Sequence, residues 1–302
     1  LIMDLIEITS GAFYLPGATN LGVVATADGR AVLIDTGQDK GAAKRLLRAC
    51  KAAGLTPCAI IKTHAHADHF GGNEYVTRRT GALVHAPPSE EAIITYPYLE
   101  PLYLFSGARP LAALQTKWLL AKPSQVEHII EDDELEVGGL TFGVLPLPGH
   151  AHRQIALGWG EVLFCADAVF GTDVLIKYGL PYATDVEAQM ESINRLQNTE
   201  FNHYLPGHGR LTHSIAPLCE ANLRAIRRGL EAVWDATADA IDTTTVVCEV
   251  SQTLAIPMSN IPQYYLFKSI VKAYLSYLVD QGRVCFRLEE NRLLWQQTRS
   301  TG

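Results

Sequence analysis

No stretch of the 302-residue chain approaches the roughly 20 consecutive apolar residues of a membrane-spanning helix, so no helical passage through a bilayer is expected. The six cysteines, Cys50, Cys58, Cys165, Cys219, Cys248 and Cys285, contain no CxxC pair. A cysteine zinc knuckle or a disulfide framework is therefore not expected, and the thiols read as small, reduced core residues. Basic excess is missing too: the formal net charge of −7 argues against a general binder of polyanions while leaving room for a local basic patch. From residue 214 onward nine Lys and Arg face nine Asp and Glu, so the acidity belongs to the first two-thirds. There is no internal repeat and no low-complexity segment, and residues 1–7 have neither a basic n-region nor a cleavable apolar core. These features predict a cytoplasmic protein.

What is present is enough apolar material, 48% of residues, for one large domain and a small one. Residues 5–8, 21–25 and 31–34 read as strands, the last two joined by a hairpin signal at Asp28-Gly29. Residues 39–53 have helical spacing of Ala43, Leu46, Leu47 and Cys50 and stop at Gly54. The buried strand 58–63, a short helix 73–79 and the strand 82–85 continue the alternation, which predicts a layered α/β domain. Residues 86–123, rich in aromatics and prolines, break the rhythm as a lid-like insertion or extra helices. Strands resume at 126–130, with hairpins 135–145 around Gly138-Gly139 and 155–165 around Gly160. Two strand-rich halves, each followed by helices, predict two packed sheets with helices outside. Beyond residue 213, helices at 217–234, 243–254 and 261–279 and a strand pair across Glu289-Glu290-Asn291 have the pattern of a winged helix. The expected division is a catalytic domain over 1–213 and a helical domain over 214–302.

The most informative stretch is Thr63-His64-Ala65-His66-Ala67-Asp68-His69. Three imidazoles and a carboxylate in six consecutive residues serve no packed core, whereas neutral imidazole is the commonest metal ligand near neutral pH and favours borderline transition ions. The run follows a buried strand, where open α/β sheets place their chemistry. Three further ligand-type residues stand at later strand ends: His150 after Pro148-Gly149, Asp167 after residues 162–165, and His208 after Pro206-Gly207. Proline and glycine fix the turns from which these imidazoles project. Seven such residues suffice for two metal ions. Asp167 could also cap a helix beginning at Ala168, and Asp35 reads as a loop organiser. His85, His128, His203 and His213 read as packing or surface residues, and His152 as a neighbour of the ligands or a solvated side chain.

In this order the residues resemble the metallo-β-lactamase-fold superfamily, in its glyoxalase II-like and lactamase-like protein branches. The signature His-x-His-x-Asp-His, then His, Asp and His, is matched by His64, His66, Asp68, His69, His150, Asp167 and His208, and Ile34-Asp35-Thr36-Gly37 resembles the turn beneath that family's site. The resemblance covers about the first 210 residues. It implies a four-layer αββα sandwich. It also implies one ion on His64, His66 and His150, a second on Asp68, His69 and His208, and Asp167 between them. Two divalent ions about 3.5–4 Å apart can share a water, lower its pKa and polarise a scissile carbonyl or phosphoryl oxygen. Zinc is the expected metal, with iron or manganese as alternatives, and Asp68 is the candidate to orient that water or carry its proton.

The leading expectation is hydrolysis of a small ester, thioester, lactone or amide-like substrate, with Tyr96, Tyr98, Tyr103, Phe105, Lys177 and Tyr178 as candidate pocket residues. Glyoxalase II-like thioesterases follow the second histidine motif with Thr-x-Gly, whereas Ala151-His152-Arg153 stands here, which argues against a glutathione thioester. His69 disfavours the secreted lactamases that carry arginine at the second position, and His66 disfavours the flavodiiron branch. The runner-up is an RNA phosphodiesterase, because RNA-cleaving members carry a similar C-terminal extension and Lys268 and Lys272 lie on its third helix. A mononuclear iron enzyme of the persulfide-dioxygenase kind is a further alternative. With charges balanced nine to nine, packing on the catalytic domain or a homodimer interface is the favoured role of residues 214–302, ahead of nucleic-acid binding.

Overall fold

A computed structural model describes residues 4–298; Arg299, counted above among the C-terminal cations, and the first three residues of the 1–7 stretch lie outside them. Two β-sheets face each other. The first runs in the order β1 (Ile6–Thr9), β2 (Ala12–Leu15), β3 (Leu21–Ala25), β4 (Arg30–Ile34), β5 (Thr56–Ile61), β6 (Leu83–Ala86), β7 (His128–Ile129). It is antiparallel as far as β4 and parallel from β4 to β7. The second comprises β8 (Glu134–Val137), β9 (Leu140–Pro146), β10 (Ile155–Trp159), β11 (Val162–Ala166) and β12 (His203–Pro206), with β12 parallel to β11 at one edge and β8 at the other. Val24, Val32, Ile34 and Ile61 of the first sheet meet Phe142, Leu157, Phe164 and Leu205 of the second in an apolar seam.

Helices cover both outer faces. On the first sheet lie α1 (Lys40–Ala52) and α3 (Asn73–Thr80), which bury Leu46, Ala49 and Val76 against Leu33, Ile60 and Val84. Asp39 starts α1 by accepting from the amides of Gly41 at 2.8 Å and Ala42 at 3.1 Å, two donors that have no partner within the helix. On the second lie α7 (Val186–Gln197) and α8 (Ala216–Ala236), packed through Ile193, Leu196, Leu223 and Ile226. The four layers are the αββα sandwich expected. α9 (Thr243–Thr253) and α10 (Ile261–Asp280) follow, then β14 (Val284–Glu289) and β15 (Arg292–Gln297), which β13 (Ile241–Asp242) joins in a three-stranded sheet. Phe267, Val271, Tyr274 and Leu278 of α10 belong to the same core cluster as Ala156 and Leu163 of the second sheet. No described helix is long and apolar enough to cross a membrane.

Two strands differ from the sequence reading. Residues 12–15 form β2, which turns back on β1 at Ser10-Gly11 with Gly11 at φ 85°. The strand expected over 126–130 is reduced to β7, because the Glu127 side chain takes the Val84 amide at 2.7 Å where a backbone carbonyl would otherwise pair. The insertion at 86–123 contains α4 (Glu90–Thr95), α5 (Leu99–Leu104) and a short 3-10 turn at Ala112–Leu114. Ile94 packs against Ala65 and Phe70 beside the histidine run. Leu104, Leu114 and Leu119 pack against Tyr265 and Leu266 of α10, so the insertion joins the histidine loop to the C-terminal helices.

Candidate metal centre

The seven ligand-type side chains meet at one end of the sandwich. His64 and His66 leave the end of β5, and Asp68 and His69 lie in the single turn α2 (Ala67–Phe70). His150, Asp167 and His208 follow β9, β11 and β12 of the second sheet. Three sets of ligand atoms fall within 4.8 Å of one another: His64, His66 and His150; His64, His69 and Asp167; and Asp68, His69 and His208.

Hydrogen bonds at the far ring nitrogens decide which nitrogen each histidine presents. His64 Nδ1 faces the Thr63 hydroxyl at 3.1 Å, His69 Nδ1 faces Asp35 Oδ2 at 2.6 Å and His150 Nδ1 faces the Tyr182 carbonyl at 2.9 Å. His208 Nδ1 faces the Ala18 carbonyl at 2.6 Å. Each of these acceptors places the proton on Nδ1 and leaves Nε2 to the centre. His66 is reversed. Its Nδ1 lies 3.1 Å from His64 Nε2 and 2.8 Å from His150 Nε2. Three neutral imidazoles with lone pairs converging at that distance cannot satisfy one another, and a shared cation resolves the conflict.

The second group is built around carboxylates. His208 Nε2 lies 3.1 Å from Asp68 Oδ2 and 3.2 Å from Asp167 Oδ2, and the latter oxygen is also 3.4 Å from His150 Nε2. One oxygen of Asp167 thus faces both groups. Its other oxygen and His69 Nε2 are buried without a hydrogen-bond partner, 3.3 Å apart. Buried orphans of this kind cost free energy unless something occupies the space between them. Gly207 permits the approach, since a Cβ there would stand 2.2 Å from Asp167 Oδ1. Asp167 caps no helix, because the next one, α6 (Thr172–Tyr178), starts five residues later. The residues present therefore fit a pair of metal ions by orphaned atoms and by the chemistry of the donors.

Electrostatics separates the halves. Burial, with repulsion from His69 and His66, drives His64 well below its ordinary range, and burial beside His150 holds His66 at about 3. Burial opposes charge on His69, but Asp167, Asp35 and Asp68 outweigh it and raise the imidazole to about 10. Burial likewise opposes charge on His208, and Asp167 and Asp68 again prevail. Asp68 and Asp167, buried yet facing His69 and His208, stay below the usual carboxylate range. A neutral nitrogen trio therefore adjoins a pair of carboxylates that hold two exchangeable protons where a cation would sit.

Asp35 supports the second half from below. Fully enclosed, at φ 62°, it accepts from the Thr63 amide at 3.1 Å and hydroxyl at 2.7 Å and pairs with Lys62 Nζ at 2.9 Å, besides His69. Lys62 also donates to the His69 carbonyl. Asp35 is thus the loop organiser expected, with a ligand's imidazole and a buried ammonium added to its partners. Glu90, which belongs to no motif in the chain, accepts from the Ala65 amide at 2.8 Å and the Arg153 amide at 3.0 Å, tying the first histidine loop to the loop of His150. Tyr182 was equally unmarked. Its ring lies against His66 at 5.5 Å and His150 at 5.6 Å, and burial, opposed by Ser269 of α10, pushes its phenol up to about 12.

Other histidines stay outside the centre: His85 stacks on His128 at 4.6 Å, His203 lies 4.8 Å from His213, and His152 is exposed. Of the candidate pocket residues, Tyr96 and Tyr98 are exposed on the insertion, and Phe105 packs at 5.3 Å from Tyr265 of α10. Tyr103 is exposed on α5. Lys177 lies over the exposed Tyr178 ring and lines a cavity of about 610 Å³ between α6, α8 and the loop after α9.

Two facing sheets with helices outside and a histidine–aspartate cluster at their strand ends define a four-layer fold with an edge whose donor atoms could hold metal ions. The chain belongs to the metallo-beta-lactamase superfamily, whose family model matches residues 14–208. It is 32% identical over 144 residues to a hydroxyacylglutathione hydrolase of Xylella fastidiosa strain M12, a match covering 47% of this chain and 42% of that one. A hydroxyacylglutathione hydrolase of Xanthomonas campestris pv. campestris strain B100 is 30% identical over 143 residues. The match thus spans less than half the length of these curated relatives. Among solved structures, a beta-lactamase domain protein from Burkholderia ambifaria superposes with a TM-score of 0.76 at 19% identity, covering 98% of this chain and 94% of that one. A metallo-beta-lactamase family protein from Thermus thermophilus gives 0.74 at 22% identity, covering 97% and 100%.

Proposed function

We propose that the chain is a metal-dependent hydrolase of small carbonyl substrates, thioesters foremost among esters, lactones and amide-like compounds. The observation that carries the reading is the convergence of ligand-type atoms of His64, His66, Asp68, His69, His150, Asp167 and His208 at one sandwich edge, with His69 Nε2 and Asp167 Oδ1 buried and without hydrogen-bond partners. His64, His66 and His150 would hold one ion, Asp68, His69 and His208 the other, with Asp167 between them. When bound, such a pair supplies Lewis acidity and an acidified water. The chain's own groups do the rest. Asp68, about one-third exposed and accepting from Thr19 Oγ1 at 3.2 Å, is the carboxylate open to a substrate and can accept a hydrogen bond from the reacting water. His66 and His208 share that open face, while His64, His69 and His150 are buried beneath it. Thioesters come first because the relatives similar in sequence are named for hydrolysing hydroxyacylglutathione, although Ala151-His152-Arg153 departs from the motif of that group.

The test is metal analysis joined to a turnover panel of thioester, lactone, β-lactam and phosphodiester substrates with zinc, manganese or iron added. About two ions per chain and carbonyl turnover lost on chelation are expected. A single iron with oxygen consumption would overturn the reading, and turnover of the phosphodiester alone would replace it with the RNA-cleaving one.

A further inference from the structure

The net charge of −7 conceals one basic face. Lys40, Lys44, Arg45, Arg48 and Lys51 of α1 are all exposed, and no acidic residue lies within that helix. Lys40, Lys44, Arg48 and Lys51 follow one another at intervals of four, four and three, which on an α-helix makes a single stripe roughly 16 Å long. Arg78 and Arg79 of α3 extend it. Four of these cations crowd one aromatic ring, with Lys40 Nζ at 5.7 Å, Lys44 Nζ at 6.0 Å, Arg78 Cζ at 5.8 Å and Arg79 Cζ at 5.5 Å from the Tyr75 centroid. A single ring quadrupole does not neutralise four like charges. Glu74 pairs with Arg78 at 3.1 Å, and Asp39 is taken by Lys117 at 3.0 Å. Among the described residues no other member of the face makes an ion pair.

The same chain carries a matching acidic surface. Glu131, Asp132, Asp133, Glu134 and Glu136 are exposed in the turn after β7 and in β8, and none is ion-paired among the described residues. They follow β7, the last strand at the open edge of the first sheet, directly after Ile129, which is 44% exposed. We infer that a second copy of this chain docks here, seating the acidic 131–136 run of one copy on the basic α1/α3 face of the other. In the proposed dimer a two-fold axis pairs each copy's basic face with the other's acidic run, so both surfaces of both copies are used. A long polyanion is the poorer occupant. Taken together, the residues outside the basic face carry more net negative charge than the whole chain and oppose an anion that extends past the stripe, whereas the 131–136 run of a second copy gathers five unpaired carboxylates in six residues, a length matched to the stripe. The inference does not depend on the catalytic reading.

Sedimentation velocity of the full metal-loaded chain should show reversible association at about 50 mM salt that weakens at least tenfold by about 500 mM. The triple variant Lys44→Glu, Arg48→Glu, Arg79→Glu should be monomeric, and so should Asp132→Lys, Asp133→Lys, Glu134→Lys. An equimolar mixture of the two should associate again, a recovery that misfolding cannot produce. All six side chains are exposed, and unchanged melting curves confirm intact folds. The inference is overturned if the native chain stays monomeric at low salt, or if association survives both reversals, as it would through residues 214–302. It is equally overturned if the native chain stays monomeric while its basic face captures a single-stranded RNA oligonucleotide.

Discussion

Replacing Asp35 by Asn separates the stabilising and metal-supporting roles of one buried carboxylate. The side chains are isosteric, and Asn tolerates the positive φ of 62° at this position, so the backbone has no reason to move. What changes is charge. Lys62 Nζ, at zero side-chain exposure, loses its counterion at 2.9 Å, and His69 Nδ1 loses a charged acceptor at 2.6 Å. Removing one partner of a buried pair costs about 3–5 kcal/mol, and removing a hydrogen-bonded support behind a ligand costs about 10–100-fold in metal affinity. Urea titration should show the first loss, and competition with a chromogenic chelator the second, concentrated in the ion on Asp68, His69 and His208. Pairing the change with Lys62→Met removes the orphaned ammonium. Stability should then recover by most of the loss, while the affinity defect remains. The pH dependence has a definite sign. Asp35 falls from an ordinary 3.8 to about 2 in the fold, so the single variant lacks stability that the native chain has above pH 3.8 and loses as pH falls towards 2. An Asp35→Asn chain with native stability and two native-affinity ions would refute the reasoning.

His208→Ala should lower the metal content from about two ions to about one and abolish turnover, because the nearest ring nitrogen to Asp68 Oδ2 disappears; two ions retained in mass spectrometry under native conditions would count against the assignment. Glu90→Ala leaves the Ala65 and Arg153 amides without their charged acceptor, a loss of about 2–4 kcal/mol in denaturant titration, and should weaken the ion on His64, His66 and His150 more than its neighbour. Glu90→Gln, which keeps one acceptor oxygen, should lose less. His85, buried beside His128, is held at about 4 against an ordinary 6.5, so its neutral form supports the fold above pH 6.5 and that support is lost as pH falls towards 4. In the metal-loaded protein, His85→Phe should therefore gain up to about 2 kcal/mol relative to the native chain near pH 5 and nothing from this source at pH 8, as read by urea midpoints.

The cluster of seven candidate ligands was legible because ligand-type residues stand together locally: four of seven sit in one hexapeptide, and His150 and His208 each follow a conspicuous Pro-Gly turn. Which ring nitrogen each histidine turns to the cluster was not legible from spacing. That is decided by Tyr182, Ala18, Thr63 and Asp35. Glu90 looked like any helix-start carboxylate, and nothing in the chain marks it as bridging amides 25 residues before it and 63 residues after. β2 was missed because Ser10-Gly11 reverses the chain within two residues, and β7 was over-extended because a side chain replaces a carbonyl in the ladder. Local patterns carried the layers and the ligand set, and tertiary hydrogen bonds carried the rest.

The ligand arrangement has a mechanical consequence for the fold. Each proposed half-site would draw on both sheets: His64 and His66 come from the end of β5 and His150 from the end of β9, while Asp68 and His69 follow β5 and His208 follows β12. Along most of the sandwich the sheets are held by apolar side chains such as Ile61, Leu157 and Phe164, which give no directional bond. At the ligand edge the contacts across the seam are polar, and there Asp68 and Asp167 favour the charged forms of His69 and His208 against their burial. An ion that binds only when both sheets are in place stabilises the folded chain by RT ln(1 + [L]/Kd), about 2.7 kcal/mol at a hundredfold excess over Kd. Glu90 and Asn20 act in the same direction without metal. Glu90 joins Ala65 to Arg153, and Asn20 donates to the Pro206 and Gly209 carbonyls at 2.9 and 2.8 Å, so the first sheet's loops grip the second sheet's ligand turns. The centre is in this sense partly assembled by hydrogen bonds before any cation arrives, which limits the ordering cost that binding must offset.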